Sequence, residues 1–294
     1  MNRVLITGAT GFIGRQCINI LKTKNFEIHA ISSKKVYPSN NENITWYQVN
    51  LTSKEEVHRV FERIRPEYLI HLAWGLVDHG YNSNVQYQWV KTGIDLIDAF
   101  SNYGGKRAVM VGTCAEYDWS QGFCSEGNTP LKPHNVYGLC KHTSRIITNS
   151  YCKQNKISFV WARIFFAYGP GQNNISLIPT VINNIKNEKE IEILHSDQIR
   201  DYIFVEDVAE ALVTLVESRL EGSVNISSGS PISIKEIVLK IANYFDKEYL
   251  IKFVSKPSQF DYVVGDNSRL LKEMKWKSKI SLDEGLRRTI ESLT

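Results

Sequence analysis

Short apolar runs recur along the first half of the chain, each followed by residues with helical spacing. Val4–Thr7 is one such run, rich in strand formers. A glycine-rich turn follows it, and then Ile13, Cys17, Ile20 and Leu21 fall on one helix face. Phe26–Ile31 alternates apolar and polar residues as a second strand does, and Ile44–Val49 reads as a third. A polar, charged helix begins near Ser53 and carries Val57, Val60, Phe61 and Ile64 on one side. It ends near Arg65-Pro66, where the proline forbids continuation. Tyr68–Ala73, Ala108–Gly112 and Ile157–Ala162 are nearly continuous apolar runs, as strands buried on both faces should be.

Strands alternating with helices predict an α/β fold of Rossmann type, a doubly wound parallel sheet with helices on both faces. Beyond Gly169-Pro170-Gly171 the rhythm changes to helices, short strands and polar loops, with a later β-like segment at Val224–Ile226. The expected organisation is a dinucleotide-binding domain over residues 1–167, with 200–228 packing back on it. Residues 168–199 and 229–294 would form a smaller mixed α/β C-terminal substrate domain.

Composition narrows the function classes. Across 294 residues, 43% hydrophobic and 22% charged content suit a globular enzyme. A formal charge of +4 is too small and dispersed for nucleic acid to be the main partner, although it suits a polyanionic small ligand. No stretch reaches the roughly 18 apolar residues of a membrane span. The chain runs from Met1-Asn2-Arg3 straight into its first strand, which does not read as a signal peptide. Cys17, Cys114, Cys124, Cys140 and Cys152 show neither a C-x-x-C pair nor a metal spacing. They read as reduced thiols, and the expected location is the cytoplasm.

Gly8-Ala9-Thr10-Gly11-Phe12-Ile13-Gly14 follows a strand and opens a helix. Gly8 permits a tight turn, Gly11 lets the backbone approach a pyrophosphate, and Gly14 lets helix and strand pack closely. The helix start then offers N–H groups and partial positive charge to phosphates. A plain tight turn would use the same glycines, but the strand–turn–helix context favours a dinucleotide. Ile31-Ser32-Ser33-Lys34-Lys35, at the end of the second strand, lacks the acid that usually holds the ribose hydroxyls of NAD. Ser33 and Lys34 suit a 2′-phosphate instead, so NADP(H) is the expected cofactor; the other reading is a solvated lysine pair.

Tyr137 and Lys141 stand four apart and would share one helix face, about 40° and roughly 6 Å apart. Tyrosine ordinarily titrates near pH 10. Acid–base work near neutrality therefore asks for about 4 kcal/mol of preferential phenolate stabilisation. A neighbouring ammonium and an oxidised nicotinamide would provide it by direct attraction. Alone, such a pair is more often an exposed helix face; downstream of a dinucleotide turn it gains meaning.

TGATGFIG (Thr7–Gly14), HLAW (His71–Trp74), GTCAEYD (Gly112–Asp118), YGLCK (Tyr137–Lys141), RIFFAYGPGQ (Arg163–Gln172) and RDYIFVEDVAEAL (Arg200–Leu212) together resemble the extended short-chain dehydrogenase/reductases. The resemblance spans essentially the whole chain. It implies a nucleotide cofactor in the first domain, a nucleotide-sugar in the second, and hydride transfer to or from the sugar between them. By that resemblance Tyr137 is the acid–base, Lys141 its electrostatic support and a ribose contact, and Thr113 the hydroxyl on the reacting oxygen. Gly8, Thr10, Gly11, Phe12, Ile13 and Gly14 would hold the pyrophosphate region, and Leu72, Ala73, Asn50 and Leu51 the adenosine side. Asn50 stands where many members carry an Asp toward adenine. Trp89 takes a place where relatives often have an Asn that helps order a proton relay, which argues against a four-residue relay. Arg200 resembles the arginine that reaches the substrate diphosphate; a salt bridge to Asp201 or Glu206 is its alternative. Asn174 and the Leu177-Ile178-Pro179 loop resemble the segment cradling the nucleotide, and the helices over Trp89–Phe100 and Tyr137–Tyr151 imply a homodimer.

Members that eliminate water resemble T-D-E-x-Y, whereas this chain reads Thr113-Cys114-Ala115-Glu116-Tyr117. Cys114 and Ala115 leave that elimination without its second acid and base. Epimerising relatives often place a Cys where Ala115 stands. The expected reaction is therefore NADPH-dependent reduction at C4 of a 4-keto-6-deoxy nucleotide-sugar, dTDP- or CDP-linked, in bacterial deoxysugar synthesis. The alternatives are an NAD-dependent nucleotide-sugar 4-epimerase and a non-catalytic NADP-sensing protein on the same fold.

Overall fold

The apolar runs of the first half become strands of one sheet in the computed structural model, which describes residues 1–35, 43–75, 80–254, 256 and 258–294. In chain order come β1 (Asn2–Thr7), α1 (Phe12–Leu21), β2 (Phe26–Ser32), β3 (Ile44–Gln48), α2 (Lys54–Ile64), β4 (Tyr68–His71), α3 (Val85–Asn102) and β5 (Arg107–Thr113). The two-residue β6 (Phe123–Cys124), α4 (Val136–Gln154), β7 (Ser158–Ile164), β8 (Phe166–Tyr168), α5 (Leu177–Lys186) and β9 (Ile191–Leu194) follow. Next are β10 (Ile199–Phe204), α6 (Val205–Glu217), β11 (Gly222–Ile226), β12 (Pro231–Ser233) and α7 (Ile234–Tyr244). The last are β13 (Ile251–Val254), β14 (Tyr262–Gly265), α8 (Ser268–Met274) and α9 (Leu282–Leu293).

Seven strands form one sheet in the order β11-β7-β5-β4-β1-β2-β3. Every pair from β3 to β7 is parallel, which is the expected Rossmann-type α/β fold. The strand order reverses between β1 and β4, and open α/β sheets bind ligands outside the carboxyl ends of the strands at such a switch point. The predicted apolar face of α2 (Val57, Val60, Phe61 and Ile64) packs with Leu5, Leu69 and Ala108 of the sheet and Leu96, Ile97 and Phe100 of α3. Ser53 caps α2 by accepting from the Glu56 N–H at 3.3 Å, and Arg65 ends it in the left-handed region (φ 49°) just before Pro66. β4 stops at His71, short of the apolar run. There the Leu72 and Ala73 N–H groups turn to the Thr7 carbonyl and hydroxyl at 3.3 and 3.4 Å.

The chain divides into two compact units, one of residues 1–117, 131–164 and 209–224, the other of 118–130, 165–208 and 225–294. Residues 118–130 lay inside the expected dinucleotide-binding span, yet they carry β6, which pairs with β14 of the second unit. Residues 200–208 fall there too, because β10 is a central strand of the sheet β12-β10-β14-β6. β11 lies beside β7 at the edge of the large sheet. The second unit has its own core, in which Val181, Ile182 and Ile185 of α5 meet Ile237 and Ile241 of α7 and Ile290 of α9. No disulfide joins the five buried cysteines. Among the described residues no helix is long and apolar enough to cross a membrane.

Candidate active site

β1 delivers the chain into Gly8, whose φ of 69° an L side chain rarely adopts and where a Cβ would come within 2.8 Å of the Ala73 nitrogen. A Cβ on Gly14 would collide with the Gly8 carbonyl, so α1 can sit this close to the turn only with glycine there. Gly11 is the N-cap of α1, and no side chain caps the helix. The first-turn N–H groups of Phe12, Ile13 and Gly14 therefore take no hydrogen bond from an N-cap side chain at the positive end of the helix. A tight glycine turn leading into a helix start without a side-chain cap fits a dinucleotide pyrophosphate.

Beside this turn, the Thr10 hydroxyl lies 3.3 Å from that of Ser32, which is buried at the end of β2. Ser32 also accepts from the Lys34 N–H at 3.1 Å and so shapes the bend that carries Ser33 and Lys34 into solvent. Ile31–Lys35, at this strand end, carries no acidic residue. Asn50 is exposed and uses its side-chain oxygen on the Thr52 N–H (3.1 Å) and hydroxyl (2.8 Å), an Asx turn ahead of α2. Leu51 is buried in the core of the first unit.

At the end of β4 the Thr7 hydroxyl meets His71 Nδ1 at 2.7 Å. Burial and the charge of Lys141 pull the His71 ring down to about 3, so it stays neutral. Leu72 and Ala73 lead on to Trp74, whose Nε1 donates to the buried Gln86 at 2.6 Å.

β5 ends in Thr113, which opens a single turn, Cys114–Glu116. The Thr113 hydroxyl accepts from the Ala115 N–H at 3.2 Å, and the Thr113 N–H donates to Glu116 at 3.0 Å. Glu116 is wholly buried and also accepts from Trp161 Nε1 (2.7 Å) and Arg163 Nε (2.9 Å). Arg163 in turn donates to the Tyr117 hydroxyl at 3.2 Å, so a buried polar cluster holds this turn. Asn135 caps α4 by accepting from the Gly138 N–H at 2.8 Å. A Cβ on Gly138 would strike the Ala115 carbonyl, so glycine lets the start of α4 press against the turn.

That approach brings the sequence-predicted trio together. Tyr137 lies close enough to Thr113 for that side chain to favour its phenolate. Lys141 is 2% exposed and donates to the Val111 carbonyl at 2.7 Å. Burial pushes the Tyr137 phenol up, with the Thr113 side chain pulling the other way. Burial pulls the Lys141 ammonium down to about 7 against the favourable charge of Glu116. The chain's own residues thus keep the phenol protonated at neutrality, the form in which it can donate.

Asn174 and Arg200 belong to the second unit. Asn174 is exposed, and its carbonyl accepts from Thr180 at 3.0 Å; Leu177-Ile178-Pro179, expected as a loop, is the first turn of α5. Arg200 is buried and pairs with neither Asp201 nor Glu206. Its guanidinium donates to the carbonyls of Ile199 (2.9 Å), Asp261 (3.3 Å) and Phe260 (2.9 Å) and lies 5.9 Å from the ring centre of Trp119. Asp201 instead accepts from the N–H groups of Ser228 (2.8 Å), Gly229 (3.0 Å) and Gly265 (3.1 Å), and Glu206 pairs with Arg288.

Sequence reasoning did not single out Thr7, Ser32, Trp74, Gln86, Glu116 or Gly138 as site residues. Trp74 and Glu116 lay within motifs already noted, but their roles depend on partners far along the chain: Gln86, Trp161 and Arg163.

The sequence profile of the NAD dependent epimerase/dehydratase family matches residues 4–227. A dTDP-4-dehydro-6-deoxyglucose reductase of Escherichia coli is 26% identical over 309 residues, covering 99% of this chain and 98% of that protein. A GDP-6-deoxy-D-talose 4-dehydrogenase of Aggregatibacter actinomycetemcomitans is 28% identical, covering 92% and 90%. Among solved structures, UDP-glucose 4-epimerase of Thermotoga maritima with UDP-glucose superposes with a TM-score of 0.88 at 20% identity, over 99% of this chain and 98% of that one. With its glycine-rich turn at the switch point of a parallel sheet and this match over most of its length, the chain belongs to the NAD dependent epimerase/dehydratase family.

Proposed function

We propose that the protein reduces the C4 keto group of a 4-keto-6-deoxy sugar carried on dTDP or CDP, with NADPH as its cofactor. The observation that carries this reading is Tyr137 set against the Thr113 side chain, with the buried Lys141 one helical turn further along α4. Bound NADPH supplies the hydride. Tyr137 donates a proton to O4 as that oxygen gains charge, and Thr113 hydrogen-bonds the same oxygen. Lys141 favours the phenolate left behind and holds the nicotinamide ribose. The turn from Gly8 to Gly14, with Thr10, Phe12 and Ile13, holds the pyrophosphate. Leu72, Ala73, Asn50 and Leu51 line the adenosine side, and Ser33 and Lys34 hold the 2′-phosphate.

Two further features support reduction over related chemistries. Ala115 has no side chain that can move a proton, and Cys114 is 5% exposed and carries a thiol where dehydrating relatives have an Asp, so the carboxylate pair of that elimination is missing. The reductase of Escherichia coli named above acts, by its name, on a dTDP-4-dehydro-6-deoxy sugar. Arg200 and Asn174 are proposed as contacts to the nucleoside diphosphate, and Arg200→Met is expected to raise the KM for nucleotide-sugar above that of the parent. The test of the reaction is isotopic: enzyme, a 4-keto-6-deoxy nucleotide-sugar, and NADPH or NADH deuterated at the transferring carbon. Deuterium at C4 of the product, with kcat/KM higher for NADPH, is the expected result. A preference for NADH contradicts the cofactor assignment.

A further inference from the structure

An ammonium withdrawn from water needs partners for its charge and for its three N–H groups. Lys141 is 2% exposed, and among the described residues the one acceptor that its Nζ meets is the Val111 carbonyl, at 2.7 Å. Its other close neighbour is aromatic. The Nζ lies 3.9 Å from the ring centre of Trp74. A cation over an indole face is attracted by the ring quadrupole, and most strongly where water is excluded. That attraction supplies what one carbonyl cannot.

The Trp74 ring is itself held on several sides. Its Nε1 donates to Gln86 Oε1 at 2.6 Å, and Gln86 is wholly buried. Gln86 Nε2 donates in turn to the Gly75 and Gly80 carbonyls at 3.2 and 3.0 Å, so the amide cannot swing away without losing three hydrogen bonds. Trp89 backs the ring at 6.1 Å between centroids and 30° between planes. A Cβ at Gly75 would collide with the Trp89 indole, so glycine there makes room for this backing. Tyr137 meets Trp74 in a T-shaped contact, at 6.3 Å between centroids and 74° between planes.

We propose that Trp74 is a positioning residue for Lys141: its indole face, fixed by Gln86 and Trp89, holds the ammonium against the Val111 carbonyl where it serves the dinucleotide. This rests on the reading above, in which Lys141 contacts the cofactor. The burial that draws Lys141 down to about 7 gives the contact added weight, because a buried lysine loses its charge readily.

The test replaces Trp74 in the full-length protein with mono-, di- and trifluorotryptophan, which weaken the ring quadrupole at nearly constant shape. Binding of NADPH and of NADH is measured by calorimetry, which needs no turnover. The expected result is a stepwise loss of dinucleotide affinity with fluorine count, on the order of tenfold across the series. Trp74→Phe should retain more affinity than Trp74→Leu. The same series in a Lys141→Met background should be flat, since the cation is gone. A flat series in the parent, with Lys141→Met still weakening binding, overturns the role of Trp74 and leaves the Lys141 assignment standing. Unchanged binding in Lys141→Met overturns both. Tighter binding with fluorination, or a slope that persists without Lys141, shows that the indole acts on the cofactor itself and also overturns the proposal.

Discussion

Tyr137, Thr113 and Lys141 carry the proposed chemistry, and each is held by a different local device. Removing the phenolic hydroxyl in Tyr137→Phe should lower kcat by about 10²–10⁴, the usual worth of a general acid, with dinucleotide affinity nearly unchanged. Single-turnover kinetics with a 4-keto nucleotide-sugar checks this; a variant keeping more than about a tenth of the parent rate means another group is the acid. Lys141 gives the pH dependence. Its folded-state value near 7 lies below the ordinary lysine range, so the free enzyme loses the ammonium as pH rises through about 7. Because kcat/KM reports free-enzyme groups, kcat/KM for NADPH should fall on the alkaline side of that pH. A value of kcat/KM that holds level to pH 9 removes the need for a charged Lys141. The trio was legible in the sequence because its spacing on one helix and its motif context are local. Trp74 was not legible as a partner of Lys141, since nothing about a tryptophan 67 positions earlier marks it as the face on which an ammonium rests.

At the scale of elements, one contact sets the site: the start of α4 against the turn that ends β5. Gly138 permits the approach, and Glu116 holds the turn by accepting from the Thr113 N–H, Trp161 and Arg163. Arg163 and Glu116 are 1% and 0% exposed, so removing one partner leaves the other charge buried and unpaired. Glu116→Ala should destabilise the protein by about 3–5 kcal/mol. Chemical denaturation of the parent and the variant measures it, and a loss under about 1 kcal/mol would show that the cluster does not hold the turn. The seven strands of the large sheet and α1 to α4 were readable from period and length. β6 was not, because two residues carry no period, and its pairing with β14 is what draws 118–130 into the second unit. The alternating and continuous apolar runs located β1 to β5 and β7 within a residue or two. Their ends shifted where a side chain competed for the backbone, as Thr7 does for Ala73.

For the whole molecule, charge and composition suit a small polyanionic ligand, and the fold places a glycine cradle at its switch point. α3 and α4 leave Tyr87, Leu139 and Ile146 about half exposed, at 53%, 47% and 49%. Apolar side chains on a helix pair in this position fit the proposed homodimer. Light scattering at micromolar concentration should give twice the chain mass, and the single chain mass would contradict the dimer. The central claim concerns the reaction, and one measurement meets it directly. Enzyme is mixed with NADPH and, in turn, dTDP- and CDP-4-keto-6-deoxyglucose, and loss of the reduced nicotinamide absorbance is followed. Stoichiometric oxidation with one of the two, yielding a 4-hydroxy sugar, is the predicted result. No oxidation with any 4-keto nucleotide-sugar, together with interconversion of UDP-glucose and UDP-galactose without added cofactor, would contradict the account and make the protein a 4-epimerase.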